Sequence, residues 1–327
     1  MTNISSLPDE LLINIFNQIS NMSHTATCRL VCKSWNSLVE RAMLGRPITI
    51  RSEMGILQLY TLLTKTPSKQ NLMRHLNFES TDAEISMLLR ELVPLIFKPN
   101  IESLTGTMVG AKFFTLLNCI IDKSSAKFEK LKKITVSSIQ DRAYSKFLLH
   151  FTDSLETLTI DAGECPEEIN WTLFGGIHDT LQNMHSILTH CNHIKTLTVN
   201  THGWDVTGDI EDMLVWSKFA VKKQHGLHTL IVRSQCPAEM LEYLLYKYTN
   251  IETIAIDVDL YSDMYLENNM NRIASAIERI PHKELYLTVP KEINFRKVIK
   301  YLKNNDYNIL IHEVRGNNAV CVKIEGL

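Results

Sequence analysis

The chain has 327 residues, 45% of them apolar and 21% charged, with a formal net charge of -2 from 34 basic and 36 acidic side chains. That length exceeds one small domain and buries a large core. The composition argues against disorder, and the charge balance leaves no overall attraction to nucleic acid or an acidic membrane. Twelve glycines and nine prolines are too few for a sandwich or barrel with many tight turns. The seven cysteines are scattered and odd in number, which predicts reduced thiols in a cytoplasmic and/or nuclear protein. MTNISSLPDELL opens without a basic stretch followed by an apolar one, so no signal peptide is expected. The strongest apolar segment, 88–97, contains Arg90, Glu91 and Pro94 and is too short to span a bilayer.

The first predicted element is a helix in SSLPDELLINIFNQI. Pro8 suits the first helical position, and Asp9 and Glu10 lie at the positive end of the helix dipole. Leu7, Leu11, Ile15 and Ile19 recur at steps of four with Leu12 and Phe16 beside them, giving one wide apolar face. Ser23 is the expected N-cap of a second helix through Cys28, Leu30, Val31 and Cys32. A third, carrying Trp35, Leu38, Val39 and Met43, ends near Gly45. Some forty residues cannot shield this much apolar surface alone, so the segment predicts a permanent protein partner. A helix-turn-helix reader of DNA would need a basic stripe, and Arg29, Lys33 and Arg41 are too few.

LPDELLINIF followed by CRLVCKSW resembles the F-box over roughly residues 5 to 45. The resemblance implies a three-helix module at 1–45 that packs against a Skp-type adaptor and through it a cullin–RING scaffold. Carried over by position, the adaptor-binding residues are Leu7, Pro8, Leu11, Leu12, Ile15 and Phe16, with Val31, Cys32 and Trp35 supporting the second and third helices. Residues 23–27 are smaller and more polar than the usual start of the second helix, a departure expected to weaken adaptor affinity.

After Gly45 a form recurs: apolar, two residues, apolar, one residue, apolar. It appears as MRHLNF (73–78), LKKITV (131–136), LETLTI (155–160), IKTLTV (194–199), LHTLIV (227–232) and IETIAI (251–256), with weaker copies at 101–106 and 283–287. Its central residues, from Leu76 to Leu285, lie 24 to 39 residues apart, a spacing typical of solenoids. Helical patterns lie between copies at 82–97, 239–248 and 269–280, while 47–50 opens the array and 308–314 with 319–324 close it. The array is similar to the leucine-rich repeats that follow many F-boxes. The expected fold is therefore α/β: an N-terminal three-helix F-box, then an irregular leucine-rich-repeat solenoid of strand–loop–helix units at 46–327 with a parallel sheet.

Strand residues pointing away from the core would line a target-binding surface, and the variable slots select Asp161, Asn200, Arg233 and Asp257, with His202 and Trp204 just after a strand. Enzyme and cofactor signatures are lacking: no phosphate loop, dinucleotide fingerprint or nucleophile elbow occurs. His185, His190, Cys191 and His193 cluster in sequence without the spacing of a metal site. The expected function is a non-catalytic substrate-recognition subunit of an SCF-type ubiquitin ligase, taking an unidentified protein target and no cofactor, metal, nucleic acid or membrane. The alternative is an adaptor-bound scaffold or regulator that does not direct degradation.

Overall fold

A computed structural model describes residues 4, 7–79, 85–107, 111–135, 142–161, 177–201, 221–233, 238–257, 272, 273, 275, 284–290, 295–304, 308–313 and 319–325. The chain forms two compact units, Met1–Val136 and Ser137–Leu327.

The first unit opens with three helices, α1 (Asp9–Gln18), α2 (Met22–Cys28) and α3 (Lys33–Leu44). Pro8 is the N-cap of α1 rather than its first helical residue, so the helix begins one residue later than expected. The cap of α2 is Asn21 rather than Ser23. Its side-chain oxygen accepts from the N–H groups of Ser23 at 2.8 Å and His24 at 3.4 Å. This helix stops at Cys28, four residues short of the expected end. Leu30 and Val31 turn back onto the carbonyls of Thr27 and Cys28, and the extended backbone of Cys32 (φ -158°, ψ 165°) starts α3 afresh. Arg46 ties the three helices together by donating to the Phe16 carbonyl and, at 3.4 Å, to the Thr25 hydroxyl.

The chain continues as β1 (Ile48–Ile50), α4 (Glu53–Lys65), a 3-10 turn (Pro67–Leu72), β2 (His75–Phe78), α5 (Met87–Ile96), β3 (Ser103–Gly106), α6 (Ala111–Lys123) and β4 (Lys133–Thr135). Strands β1 to β4 pair in chain order, all parallel, with Ile48, Leu76, Leu104 and Ile134 in register. The recurrence read from the sequence is thus a physical one: each copy presents its central residue to the copy before it. Leu76, Phe78, Leu104 and Ile134 are buried, as are Leu89, Leu92, Val93 and Ile96 of α5. Gly106 has φ 131°, and a side chain there would drive a Cβ into the Phe78 backbone of the adjacent strand. Lys69 of the 3-10 turn reaches Glu40 of α3 at 2.7 Å, which joins the opening helices to the strands that follow.

The second unit runs α7 (Arg142–Leu149), β5 (Thr157–Asp161), α8 (Ile177–His190), β6 (Thr196–Asn200), β7 (Thr229–Arg233), α9 (Ala238–Lys247), β8 (Thr253–Asp257), β9 (Glu284–Pro290), α10 (Phe295–Asn304), β10 (Asn308–Glu313) and β11 (Ala319–Glu325). Strands β5 to β9 are parallel and sequential, with Leu158, Leu197, Leu230, Ile254 and Leu285 in register. The expected all-parallel sheet fails at its end: β11 pairs antiparallel with β9, and β10 antiparallel with β11. The five positions between β10 and β11 are enough for a hairpin, whereas a parallel return would need a crossover of a dozen residues or more. Most of the helical pattern at 269–280 lies outside the described residues; within it, Ile273 is buried.

Candidate functional site

The opening helices enclose a small core of Leu12, Phe16, Leu38, Val39 and Ala42, with Leu7, Ile13, Ile19, Cys28, Trp35 and Met43 packed against it. Leu12 and Phe16 are only 3% and 2% exposed, so the chain itself covers two residues expected to meet an adaptor. The reason is the 100° step of a helix. The stripe through 12 and 16 faces α3, and the neighbouring stripe through 11 and 15 is turned outward. Leu11 and Ile15 are 48% and 42% exposed, and Pro8 is exposed as well.

Beyond α2 the roles change again. Val31 was expected to support the helices but is 63% exposed, because it lies in the turn rather than in α2. Leu30, absent from the expected contacts, is the most exposed large apolar residue of the segment at 84%. Its sequence signal is an adjacent Leu-Val pair just after a short, polar helix. Trp35 is half-buried and packs edge-on to Phe16 against the core. Cys32 is half-buried, and its thiol is held below the ordinary range by the Ser34 hydroxyl 3.0 Å away and then by the Trp35 backbone N–H. Ser23, Thr27, Leu30, Cys32, Lys33 and Asn36 are among the residues lining an open groove of about 780 Å³.

Outward strand residues make the second candidate surface. In the second unit Thr157, Thr196, Thr229 and Thr253 stand in one register row, and Asp161, Asn200 and Arg233 in another. Arg233 is exposed, Asp257 and Asn200 are half-buried, and Asn200 Oδ1 is buried without a hydrogen-bond partner among the described residues. Asp161 lies on the same strand ladder; His202 and Trp204 lie outside the described residues.

Two outward clusters were not among the expected site residues. In the first unit, Asn77 donates to Thr49 at 3.4 Å and accepts from Thr105 at 3.0 Å, while His75 Nδ1 is hydrogen-bonded to Ser103 Oγ at 2.9 Å. Glu102 is committed to Arg74 at 3.2 Å and lies 4.0 Å from His75, so Ser103 orients the imidazole. In the second unit, Glu284 accepts from Tyr286 at 3.1 Å and from Lys323 at 3.3 Å. His75 and Asn77 lie in the first copy of the recurrence, Ser103, Thr105, Glu284 and Tyr286 in its weaker copies, and Thr49 and Lys323 in the opening and closing strands, all outside the four strands that supply the expected target residues.

The sequence cluster of histidines separates in space. His185 is hydrogen-bonded to the Tyr243 hydroxyl at 3.1 Å, His190 to the Ser186 carbonyl at 2.8 Å, Cys191 is buried and His193 is exposed. Among the described residues no group of three or more His, Cys, Asp or Glu side chains is placed to hold a metal. Lys247 is fully buried, its Nζ has no hydrogen-bond partner among the described residues and lies 5.8 Å from the Tyr248 ring centre, and burial brings its pKa down to about 8. Burial raises the nearby Cys191 thiol to about 11.

Residues 4–46 match the F-box domain family, so the helical segment is an F-box domain. F-box domains bind Skp-type adaptors within cullin–RING ligases, and the domain marks an adaptor-binding component of an SCF-type ubiquitin ligase. F-box proteins are generally substrate-recognition rather than catalytic subunits. No curated protein matches the chain.

Proposed function

We propose that this chain is the substrate-recognition subunit of an SCF-type ubiquitin ligase, with the F-box holding the adaptor and the outward strand faces holding a protein target. One observation carries the reading: Leu11, Ile15, Leu30 and Val31 stay exposed on a module whose core is already complete without them. Covering four such side chains supplies on the order of several kcal/mol of association energy. The chain makes no bond of its own on this reading. It raises the effective concentration of a target lysine beside a charged conjugating enzyme.

The remainder of the chain is read as a leucine-rich-repeat-like solenoid. Supporting this are the in-register central residues of β1–β4 and of β5–β9, each strand adding to the one before it. Target contacts are assigned to Asn200, Arg233 and Asp257, an assignment supported by their outward positions on adjacent strands and by the exposure of Arg233. Free thiols at Cys28, Cys32, Cys119, Cys191 and Cys321 fit work in the cytoplasm or nucleus.

The test is co-purification of the full chain with a Skp-type adaptor, comparing wild type with Leu11→Asp/Leu30→Asp. The double variant should keep its circular dichroism spectrum and lose the adaptor; undiminished adaptor recovery would refute the proposed surface. In cells the same variant should retain bound targets and lengthen their lifetimes. Unchanged lifetimes would favour a scaffold that does not direct degradation.

A further inference from the structure

We propose that β10 is the contact through which two copies of this chain join, edge to edge, into one antiparallel sheet. Strand β10 stands last in the strand order and bonds to β11 alone among the described strands. Its other edge presents a row of backbone N–H and C=O groups, the template on which a further strand adds. Leu310 and Ile311 are 46% and 53% exposed on this strand. Side chains alternate along a strand, so these two consecutive residues leave apolar surface on both faces of the sheet edge.

The sequence of the strand argues for a second copy as the occupant. Residues directly opposite in an antiparallel ladder must both turn their amides toward the partner or both turn them away. About a two-fold axis, the central register therefore sets a residue opposite itself. Centred on Leu310, the pairing is Leu310 with Leu310, Ile309 with Ile311 and Asn308 with position 312. Every apolar residue of Asn308–Glu313 then meets another apolar residue, and position 313 lies beyond the paired span. Centred on Ile311, the same strand would set Leu310 against a histidine position and Ile309 against a glutamate position. The first register is the self-complementary one, and it repeats the antiparallel sense that β10 already keeps with β11.

A six-residue strand covers less than the roughly 1,000 Å² typical of a lasting interface, so the association should depend on concentration. Sedimentation velocity on the full chain with its adaptor, from about 1 to about 100 μM, should show a monomer giving way to a dimer, a range suited to a contact of this size. Leu310→Lys sets two like charges face to face at the axis and should hold the complex monomeric with an unchanged circular dichroism spectrum.

Leu310→Cys supplies a second measurement. Residues directly opposite have Cα atoms about 4.5–5.5 Å apart, within disulfide reach. Mild oxidation should therefore link Leu310→Cys into a covalent dimer well above the wild-type background, while Ile309→Cys, which faces residue 311 instead, should not link above it. A complex that stays monomeric throughout overturns the proposal. So does a dimer indifferent to Leu310→Lys, which would be joined elsewhere on the molecule, and so does failure of Leu310→Cys to cross-link.

Discussion

Phe16 of the first helix and Trp35 of the third meet edge to face, with ring centres 5.1 Å apart and ring planes at 69°. The pair spans the F-box core and clamps α1 onto α3, while Leu11 and Ile15, on the adjacent stripe of α1, remain outside it. One helix therefore has a stripe that folds the module and another available for binding.

Phe16→Ala should destabilise the first unit by about 3–5 kcal/mol, combining lost transfer energy with a cavity and a lost aromatic pair. Urea unfolding followed by circular dichroism would measure the change. Adaptor binding should fall in parallel with the folded fraction, and a variant fully folded without adaptor affinity would contradict the assignment of Phe16 to the core.

Leu30→Ala should behave in the opposite way. At 84% exposure its removal should change folding stability by no more than about 0.5 kcal/mol. If Leu30 belongs to the adaptor surface, calorimetric titration with the adaptor should show affinity falling about tenfold, equivalent to about 1.4 kcal/mol. An affinity within twofold of wild type would remove Leu30 from that surface.

Gly106→Ala should cost the first unit at least about 2 kcal/mol, since φ 131° is unfavourable for any side chain and the Phe78 backbone occupies the space needed. Thermal unfolding would detect it as a lowered midpoint. A wild-type midpoint would show that β2 and β3 separate without penalty.

Lys247→Met should stabilise the second unit by about 2–3 kcal/mol at pH 7, because it replaces a buried amine that has no hydrogen-bond partner among the described residues with an apolar chain of similar length. The sign follows from proton counts. With a folded pKa of about 8 against about 10.4 in the unfolded chain, the unfolded state binds more protons between those values, so the lysine penalty is full below pH 8 and fades above it. Cys191, raised to about 11, acts against this above its unfolded pKa of about 8.5, as do the raised pKa values of Tyr144, Tyr243 and Tyr248 above about 10; His185, lowered by burial and then by Lys247, titrates on the acid side. The clean measurement is the difference in unfolding free energy between variant and wild type, which should shrink from pH 7 to pH 10. A difference that holds constant across that range would mean the amine is solvated.

The strands were legible in advance because their information is local. LETLTI and IKTLTV alternate at period two, and equivalent positions recur often enough to stack, so β5 and β6 fall where the pattern sets them. Helices α4, α6, α7 and α10 have no counterpart among the expected helical patterns, since their apolar residues are interleaved with polar ones and no repeat marks them. The end of α2 was missed because the pull of Leu30 and Val31 toward a longer apolar run is local, whereas the turn that exposes them depends on where α3 begins.

By itself, the order of residues determined that this chain has an F-box, that strands recur after it, and which side chains on each strand are apolar, because these follow from spacing along one element. Only the tertiary structure decided that Leu12 and Phe16 are covered while Leu11, Ile15, Leu30 and Val31 are not, and that the sheet turns antiparallel at β11 and leaves β10 at its edge. Whether a side chain is covered, or an edge open, depends on residues tens of positions away, such as Trp35 across from Phe16, and that neighbourhood exists only once the chain has folded.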